Sequence, residues 1–330
     1  MDHILLLSLH QERTTTDDNP IFQVIPHLEG GNIDDSTSED VAIPEVFRRF
    51  YQGELVDFVD PNIPSNRKRK TISYRLDLAY RGTAFCGWQT QVQNTSNRTT
   101  VPPPQRTTRL LPAVQDVVQA ALDDRNVRVA GRTDAGVHAV GQVARVRCDP
   151  RVSIDQLRQQ LQAAALENGN WACRRILPVT HSFHPTFGAT SRSYVYLIDA
   201  NPEWQRRLGP VSDFVKRLNG VLTPLEGQTL PYLALSYGKL KTSTSHCTLH
   251  HVRARLVTWR RHEPVVAIEL TGDRFLRRMV RILVATAVRL AADVDDDPRA
   301  LYDIVQSMDR RQAALPAPAA GLVFLTASYE

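Results

Sequence analysis

The stretch VAGRTDAGVHAVGQV, residues 129–143, lies between two segments of extended character and organises the rest of the chain around it. Residues 127–129 before it and 143–148 after it carry the apolar and polar alternation of half-buried strands. The glycines inside it interrupt both patterns. The sequence therefore predicts a strand, a tight loop and a second strand at this point.

The predicted loop holds an acid and a base close together. Gly131 and Gly136 allow the backbone to approach a ligand closely. Arg132 precedes Asp134 by two residues, where it can keep the carboxylate ionised or point at a phosphate or a displaced base. We interpret the loop as an active-site loop with Asp134 as its acid. The structural alternative is an aspartate that only caps the turn.

Apolar periodicity predicts the other elements. Ser153 and Gln156 have capping-box spacing and predict a helix start, as does Asp297 followed by Pro298. The predicted elements include hairpins and do not alternate strictly between strand and helix, so we expect an α+β fold with a largely antiparallel sheet. The predicted strands are 72–78, 127–129, 143–148, 194–198, 252–259, 265–270 and 322–327, and the predicted helices are 114–122, 153–164, 211–218, 275–290 and 297–305.

Charge is distributed unevenly along the 330 residues, although the net charge is only +5. Residues 1–66 hold 13 Asp and Glu against three Arg, whereas the remainder holds 37 Lys and Arg against 22 Asp and Glu. A basic body suits a polyanion such as RNA, because phosphate contacts supply most sequence-independent affinity. A solvated surface that happens to be cationic is the alternative.

Two segments have too polar a composition to form a packed core. We expect residues 1–66 to form an acidic, partly ordered extension, and residues 93–112 to form a long polar loop. The basic run 67–70 suits RNA contact, a nuclear address or a solvated cluster. We divide the body into an N-terminal half, 67–180, which carries the GRTD loop, and a C-terminal half, 181–330.

The cysteines and the apolar runs exclude several classes of protein. The four cysteines are far apart without a C-x-x-C pair, so we predict neither a metal site nor disulfides. No apolar run has membrane-spanning length, and the N-terminus does not resemble a secretory signal. We expect a soluble, intracellular protein without membrane contact; cytoplasm, nucleus and mitochondrion stay open as its compartment.

Six blocks of this sequence, in register, resemble the TruA-type tRNA pseudouridine synthases. Residues 129–143 match the central motif of that family almost letter for letter. The resemblance extends from about residue 72 to the C-terminus and leaves only the acidic extension outside. The further blocks are YRGTAFCGWQTQ (80–91), the helix at 113–122, FHPTFGATSRSYVY (183–196), FLRRMVR (275–281) and Gly321 with Leu322.

The resemblance implies the pseudouridine synthase fold, in which two ferredoxin-like halves form one sheet with flanking helices and a central basic cleft for RNA. It implies an isomerase that needs no metal and no cofactor. An aspartate breaks the bond between ribose and uracil N1, the base turns, and C5 joins the sugar. Extruding the uridine is necessary because the glycosidic carbon is inaccessible in a stacked helix. The aspartate acts as a nucleophile or as a base that removes a ribose proton.

The resemblance also assigns roles by position. Asp134 matches the catalytic aspartate, Arg281 its basic partner and Tyr194 the aromatic residue that stacks on the target base. Tyr194 read alone is an ordinary strand aromatic. Substrate-binding roles go to Arg132, Leu322, Thr133 and His138, and RNA-binding roles to Arg274, Arg277 and Arg278.

Three positions depart from the family pattern. Arg81 stands where an acid is usual, and Thr186 and Cys247 each stand where an arginine is usual. They motivate an alternative: a catalytically inactive RNA-binding or ribosome-assembly factor of the same fold. A plain RNA-recognition module is a second alternative, but the sequence has no aromatic RNP pattern. We expect a homodimer that acts on tRNA, with ribosomal RNA as the next candidate.

Overall fold

The computed structural model describes the part of the chain that was predicted to form the catalytic body. The described residues are 71–89, 111–240, 243–258, 264–293 and 297–329. The acidic extension, the basic run 67–70, residues 93–110 of the polar loop and residues 259–263 lie outside them. Within the described residues, no helix combines the length and apolar character needed to cross a membrane.

Nine strands and six α-helices make up the described part. The strands are β1 (Ile72–Tyr80), β2 (Arg128–Val129), β3 (His138–Cys148), β4 (Trp171–Val179), β5 (Ala189–Asp199), β6 (Thr229–Pro231), β7 (His246–Thr258), β8 (Pro264–Gly272) and β9 (Leu322–Tyr329). The helices are α1 (Val114–Ala120), α2 (Ile154–Asn168), α3 (Pro202–Leu208), α4 (Val211–Leu222), α5 (Met279–Ala292) and α6 (Ala300–Ser307).

The strands form one sheet in the order β4-β1-β3-β9-β5-β8-β7-β6, with β2 paired to β3. All pairings between named strands are antiparallel except that of β3 with β9. That parallel pairing joins His138 to Val323 and Ala139 to Phe324. The predicted α+β fold with one largely antiparallel sheet and flanking helices is therefore confirmed.

The helices cover one face of the sheet. Side chains alternate between the two faces of a strand, so Tyr194 and Tyr196 of β5 point toward the helices and Val195 points away. One apolar cluster packs α1 and α2 on β1 and β3, and a larger one packs α3 to α6 on β5, β7 and β8. The division into halves at residue 180 stays a prediction.

Helix α5 is the most deeply buried of the six. Every residue of it is buried except Arg281, Arg289 and Ala292. Burial of a helix on nearly all sides is typical of a central core element. Arg281 is thus a charged side chain on a helix that otherwise consists almost entirely of core residues.

The predicted helix 275–290 was wrong at its beginning, because α5 starts only at Met279. Arg278 has a φ of 58°, a left-handed conformation that does not continue an α-helix. Leu276 is buried and Phe275 packs against the core. Both apolar residues therefore continue the helical spacing of α5 although they precede the helix. The apolar pattern therefore extended beyond the element that it belongs to.

Strands β4 and β6 and helix α3 were not predicted, and β6 has only three residues. Most residues of β4 are only half-buried, since β4 is the outer neighbour of β1, and its register with β1 shifts between Asp77 and Leu78. An edge strand of this kind lacks the clean alternation that periodicity detects. Helix α3 is only seven residues long and depends on Asn201, whose side chain accepts a hydrogen bond from the backbone N–H of Trp204.

Candidate active site

A chain of buried polar groups fixes the loop that leads to Asp134. The side-chain amide of Gln142, which is fully buried, donates to the carbonyl oxygen of Gly131 at 2.8 Å and to Tyr80 Oη at 3.2 Å. The hydroxyl groups of Tyr80 and Thr133 share a further hydrogen bond at 2.8 Å. Buried networks whose members are hydrogen-bonded are rigid. The backbone before Asp134 is therefore held from beneath by the sheet.

Asp134 is the first residue of a tight turn. Its carbonyl oxygen accepts a hydrogen bond from the N–H of Val137 at 3.2 Å. Gly136, the third residue of the turn, has a φ of 81°, a value that a type II turn requires and that favours glycine. A methyl group on Gly136 would lie 3.1 Å from Cβ of Ala319. The turn thus packs against the segment just before β9.

The segment after β1 packs against the other side of the loop. The backbone N–H of Trp88 donates to the carbonyl oxygen of Thr133 at 3.1 Å, and the N–H of Gly82 donates to Nδ1 of His138 at 3.2 Å. A Cβ on Gly82 would lie 2.1 Å from the carbonyl oxygen of Val137. Only glycine allows the two segments to approach this closely.

Thr133 and His138, both predicted to bind substrate, are buried side chains of this loop. Burial lowers the pKa of His138 to about 3, so the imidazole is uncharged at neutral pH. Because Nδ1 accepts from Gly82, the proton resides on Nε2, which is buried and has no hydrogen-bond partner among the described residues. The structure gives both residues a part in holding the loop; their contact with substrate stays a prediction.

Two arginines from the start of α5 lie beside the Asp134 carboxylate. Oδ2 of Asp134 is 3.5 Å from Nη1 of Arg281 and 3.9 Å from Nε of Arg278. The Asp134 side chain is 32% exposed, whereas that of Arg281 is 15% exposed. The fold therefore brings together residues from separate parts of the chain and leaves the carboxylate open to a ligand.

Arg281 is fixed in place by the segment before β9. Its Nε donates to the carbonyl oxygen of Ala317 at 2.6 Å, and the N–H of Ala317 donates back to the carbonyl oxygen of Arg281 at 3.1 Å. Burial lowers the pKa of Arg281, and the negative charge of Asp134 opposes that change. A guanidinium group stays protonated in proteins, so Arg281 supplies a positioned positive charge.

Arg278 is held by an aromatic residue that the sequence did not single out. Its guanidinium carbon lies 4.2 Å from the centroid of the Tyr237 ring, a cation–π geometry. The N–H of Tyr237 donates to the carbonyl oxygen of Arg277 at 3.1 Å, which ties the two segments together. Arg278 Nε is buried and has no hydrogen-bond partner among the described residues.

The predicted RNA-binding arginines thus occupy different environments. Arg278 lies at Asp134, whereas Arg277 is exposed and Arg274 donates to the carbonyl oxygen of Thr244 at 3.1 Å. Arg132 is exposed on the loop itself. Contact of any of these side chains with RNA stays a prediction.

Tyr194 lies under the loop, between the two aromatic rings of Phe275 and Phe324. Both rings meet it edge to face at a centroid distance of 5.1 Å. Burial raises the pKa of Tyr194, and the charge of Asp134 adds to the shift, so the phenol is neutral. A methyl group built on Gly131 would lie 3.9 Å from Tyr194 Oη.

Leu322 is the first residue of β9 and is 5% exposed. It is paired with Tyr196 of β5, close to Tyr194. The structure thus places the predicted apolar contact residue in the same part of the sheet as the predicted stacking residue. Contact of Leu322 with the target base stays a prediction.

Comparison with known proteins identifies the family. The family model described as tRNA pseudouridine synthase matches residues 236–330. The tRNA pseudouridine synthase A of Bdellovibrio bacteriovorus is 29% identical over 269 residues, 78% of this chain and 95% of that protein. The protein of the same name from Roseiflexus sp. is 31% identical over 265 residues, 77% of this chain and 89% of that protein. The chain belongs to the tRNA pseudouridine synthase A family.

Membership in the tRNA pseudouridine synthase A family confirms the predicted family and the predicted enzyme class. A further member, from Chloroflexus aurantiacus, is 31% identical over 268 residues, 77% of this chain and 87% of that protein. The portion of this chain outside these alignments is about as long as the acidic extension 1–66.

The three departures from the tRNA pseudouridine synthase A pattern have structural partners of their own. Arg81 donates to Oδ1 of Asn170 at 3.0 Å and joins the end of β1 to the turn after α2. Thr186 Oγ1 donates to the carbonyl oxygen of Val129 at 2.6 Å. Cys247 is fully buried in the core. The substituted side chains are therefore integrated into the fold.

Proposed function

We propose that this chain isomerises uridine to pseudouridine in tRNA, with Asp134 as the catalytic carboxylate and without a cofactor. The observation that carries the proposal is the 3.5 Å approach of Arg281 to a half-exposed Asp134 at a tight, rigid turn. The relatives named above are tRNA pseudouridine synthases, which supports tRNA as the substrate. The positive charge of the body suits a polyanionic partner.

The reaction is an isomerisation and balances without any second reactant. The bond between ribose C1′ and uracil N1 breaks, a bond between C1′ and C5 forms, C5 loses its proton and N1 gains one. Asp134 starts it by attacking C1′ as a nucleophile or by removing a ribose proton. Both roles need a carboxylate that is open toward the substrate, as its 32% exposure allows.

The surroundings of Asp134 suit a base that has left its stack. Tyr194 and Leu322 provide an apolar floor for the uracil ring, and the exposed Arg132 lies at the mouth of the loop. A base that flips out of the RNA loses its stacking interactions with neighbouring bases. Aromatic contacts in the enzyme compensate part of that loss. Arg281 and Arg278 balance negative charge at the reacting centre.

The proposal extends to a homodimer in which one RNA contacts both subunits. The excess of Lys and Arg over Asp and Glu after residue 66 favours such an extended contact. Sedimentation equilibrium tests it: a monomeric mass at working concentration, with and without tRNA, contradicts the dimer. Ribosomal RNA is the second candidate substrate, and it is tested in the same activity assay.

Release of tritium from C5 tests the chemistry directly, because pseudouridine formation replaces the C5–H bond. We expect wild-type protein to release tritium from tRNA transcripts labelled at uridine C5, and the Asp134→Ala variant to release none. Asp213→Ala, which removes a carboxylate from α4, is the control and keeps wild-type release. Absence of release by the wild type on both tRNA and ribosomal RNA favours the inactive RNA-binding factor instead.

A further inference from the structure

The turn between β4 and β5 presents a large aromatic side chain to solvent. Phe187 is 86% exposed. Its turn is nevertheless well tied: the N–H of Gly188 donates to the carbonyl oxygen of His184 at 2.8 Å, and the N–H groups of Thr186 and Phe187 both donate to Nδ1 of His184 at 3.2 Å. The exposure of Phe187 is therefore a property of an ordered turn.

One face of the Phe187 ring is already supported. The ring stacks on the imidazole of His184, with a centroid distance of 4.5 Å and an angle of 29° between the planes. This stack fixes the orientation of Phe187, and its exposure leaves the opposite face open. A rigid aromatic ring with one free face is the usual platform for an unstacked nucleobase.

Two hydrogen-bond donors face each other beside this stack. Nδ1 of His184 accepts from the backbone, and burial with the nearby arginines lowers the pKa of the ring, so it is neutral with its proton on Nε2. Nη1 of Arg128 lies 3.3 Å from that Nε2. Both groups are donors in this state, and a single shared acceptor, such as a phosphate oxygen, would satisfy both.

The surroundings of Arg128 are strongly basic. Arg145 is its cross-strand partner, and burial followed by the charges of Arg147 and Arg128 lowers the pKa of Arg145. Among the described residues, no carboxylate forms an ion pair with any of these three arginines. An uncompensated cluster next to an exposed aromatic ring is the combination that binds single-stranded RNA.

The turn is attached to the strand that leads into the catalytic loop. Thr186 Oγ1 donates to the carbonyl oxygen of Val129, and Arg192 donates to the carbonyl oxygens of Thr186 and Ala130. Val129 and Ala130 directly precede the loop that carries Asp134. RNA on the Phe187 turn would therefore lie close to the reacting uridine.

We propose that Phe187 stacks on a nucleobase adjacent to the target in the bound RNA, while Arg128 and His184 hold a phosphate of the same strand. The inference rests on the proposed function, because it takes the ligand to be the RNA substrate. It assigns the Phe187 turn a share of substrate binding and leaves the chemistry to Asp134.

Binding of unmodified tRNA transcripts to the Asp134→Ala protein tests this without turnover. We expect Phe187→Ala to raise Kd about 5- to 100-fold, the effect of losing one base–aromatic stack. Phe187→Trp keeps the affinity, and its added fluorescence is quenched when RNA binds. Leu166→Ala removes another exposed apolar side chain, on α2, and leaves Kd unchanged. Arg128→Gln weakens binding and lowers the salt slope by about 1.

Each of the other outcomes overturns the stacking site, the proposed function or both. Equal Kd for Phe187→Ala and its parent, with no quenching of Phe187→Trp, excludes the stacking site. A change in sedimentation of Phe187→Ala at unchanged affinity assigns the ring to a contact between two copies of the chain. Loss of RNA affinity in Phe187→Ala without tritium release by the wild type keeps the binding site and rejects the proposed function. A wild type that binds no tRNA rejects both.

Discussion

Nε of Arg281 donates a 2.6 Å hydrogen bond to the carbonyl oxygen of Ala317, and Nη1 of the same guanidinium lies 3.5 Å from Asp134. One edge of the planar group is thus used for positioning and another for charge. A guanidinium has five donors in a fixed arrangement and can do both at once, whereas an ammonium group is a point charge. We expect the site to depend on this difference.

Replacing Arg281 by lysine therefore separates charge from geometry. We expect Arg281→Lys to lower kcat about 100-fold, because one ammonium cannot reach both Ala317 and Asp134, and Arg281→Gln to lower it further. Single-turnover tritium release measures the effect. Arg289→Lys, on the same helix, is the matched control, since Arg289 donates to the carbonyl oxygen of Gln312 and not to the segment that holds Arg281. Wild-type kcat in Arg281→Lys would contradict the two-edge arrangement.

The ring of Tyr237 should matter more than its hydroxyl group. Tyr237→Ala removes the surface on which Arg278 rests, and we expect kcat/KM to fall about 3- to 30-fold. Tyr237→Phe keeps the ring and should retain most of the activity. Equal losses in the two variants would mean that the hydroxyl group is responsible and that the cation–π contact does not position Arg278.

Replacement by alanine should have opposite effects on stability at Gly82 and at Gly220. A Cβ on Gly82 would lie 2.1 Å from the carbonyl oxygen of Val137, so Gly82→Ala should lower the free energy of unfolding by about 1–3 kcal/mol and displace the catalytic loop. Gly220 lies within α4 with nothing within 4 Å of its added methyl group, so Gly220→Ala should stabilise by about 0.5–1 kcal/mol. Urea unfolding measures both.

His138 should make stability depend on pH. Its pKa is about 3 in the folded protein and near 6.5 when unfolded, so the unfolded chain binds the extra proton between these values. Its contribution to stability is complete above pH 6.5 and is lost as the pH falls toward 3, by up to about 1.4 kcal/mol per pH unit.

A His138→Gln variant tests this dependence, because its side-chain oxygen can still accept the hydrogen bond from Gly82. Between pH 7.5 and pH 5, the wild type should lose about 2 kcal/mol more of its unfolding free energy than the variant. Parallel losses in the two proteins would show that the imidazole takes up a proton within the folded state.

Periodicity predicted β1, in which apolar and polar residues alternate, and α4, which buries one apolar face. It could not predict that β9 lies between β3 and β5, because strand order depends on long-range pairing. The prediction that Asp134 and Arg281 lie close together came from the family resemblance and not from the spacing of residues along the chain. Tyr237 was missed because a ring beneath a guanidinium leaves no pattern in sequence. Partners of buried polar groups, such as Gln142 and Tyr80, are likewise visible only once the chain is folded.

Strand β9 has a consequence for how the protein is made. It is the last of the nine described strands, and its pairing of Val323 and Phe324 with His138 and Ala139 joins the two parts of the sheet. Ribosomes synthesise a chain from its N-terminus, so the other eight described strands emerge before β9, and the continuous sheet can form only after β9 has emerged. A nascent chain that still lacks β9 therefore has no strand to link β3 to β5.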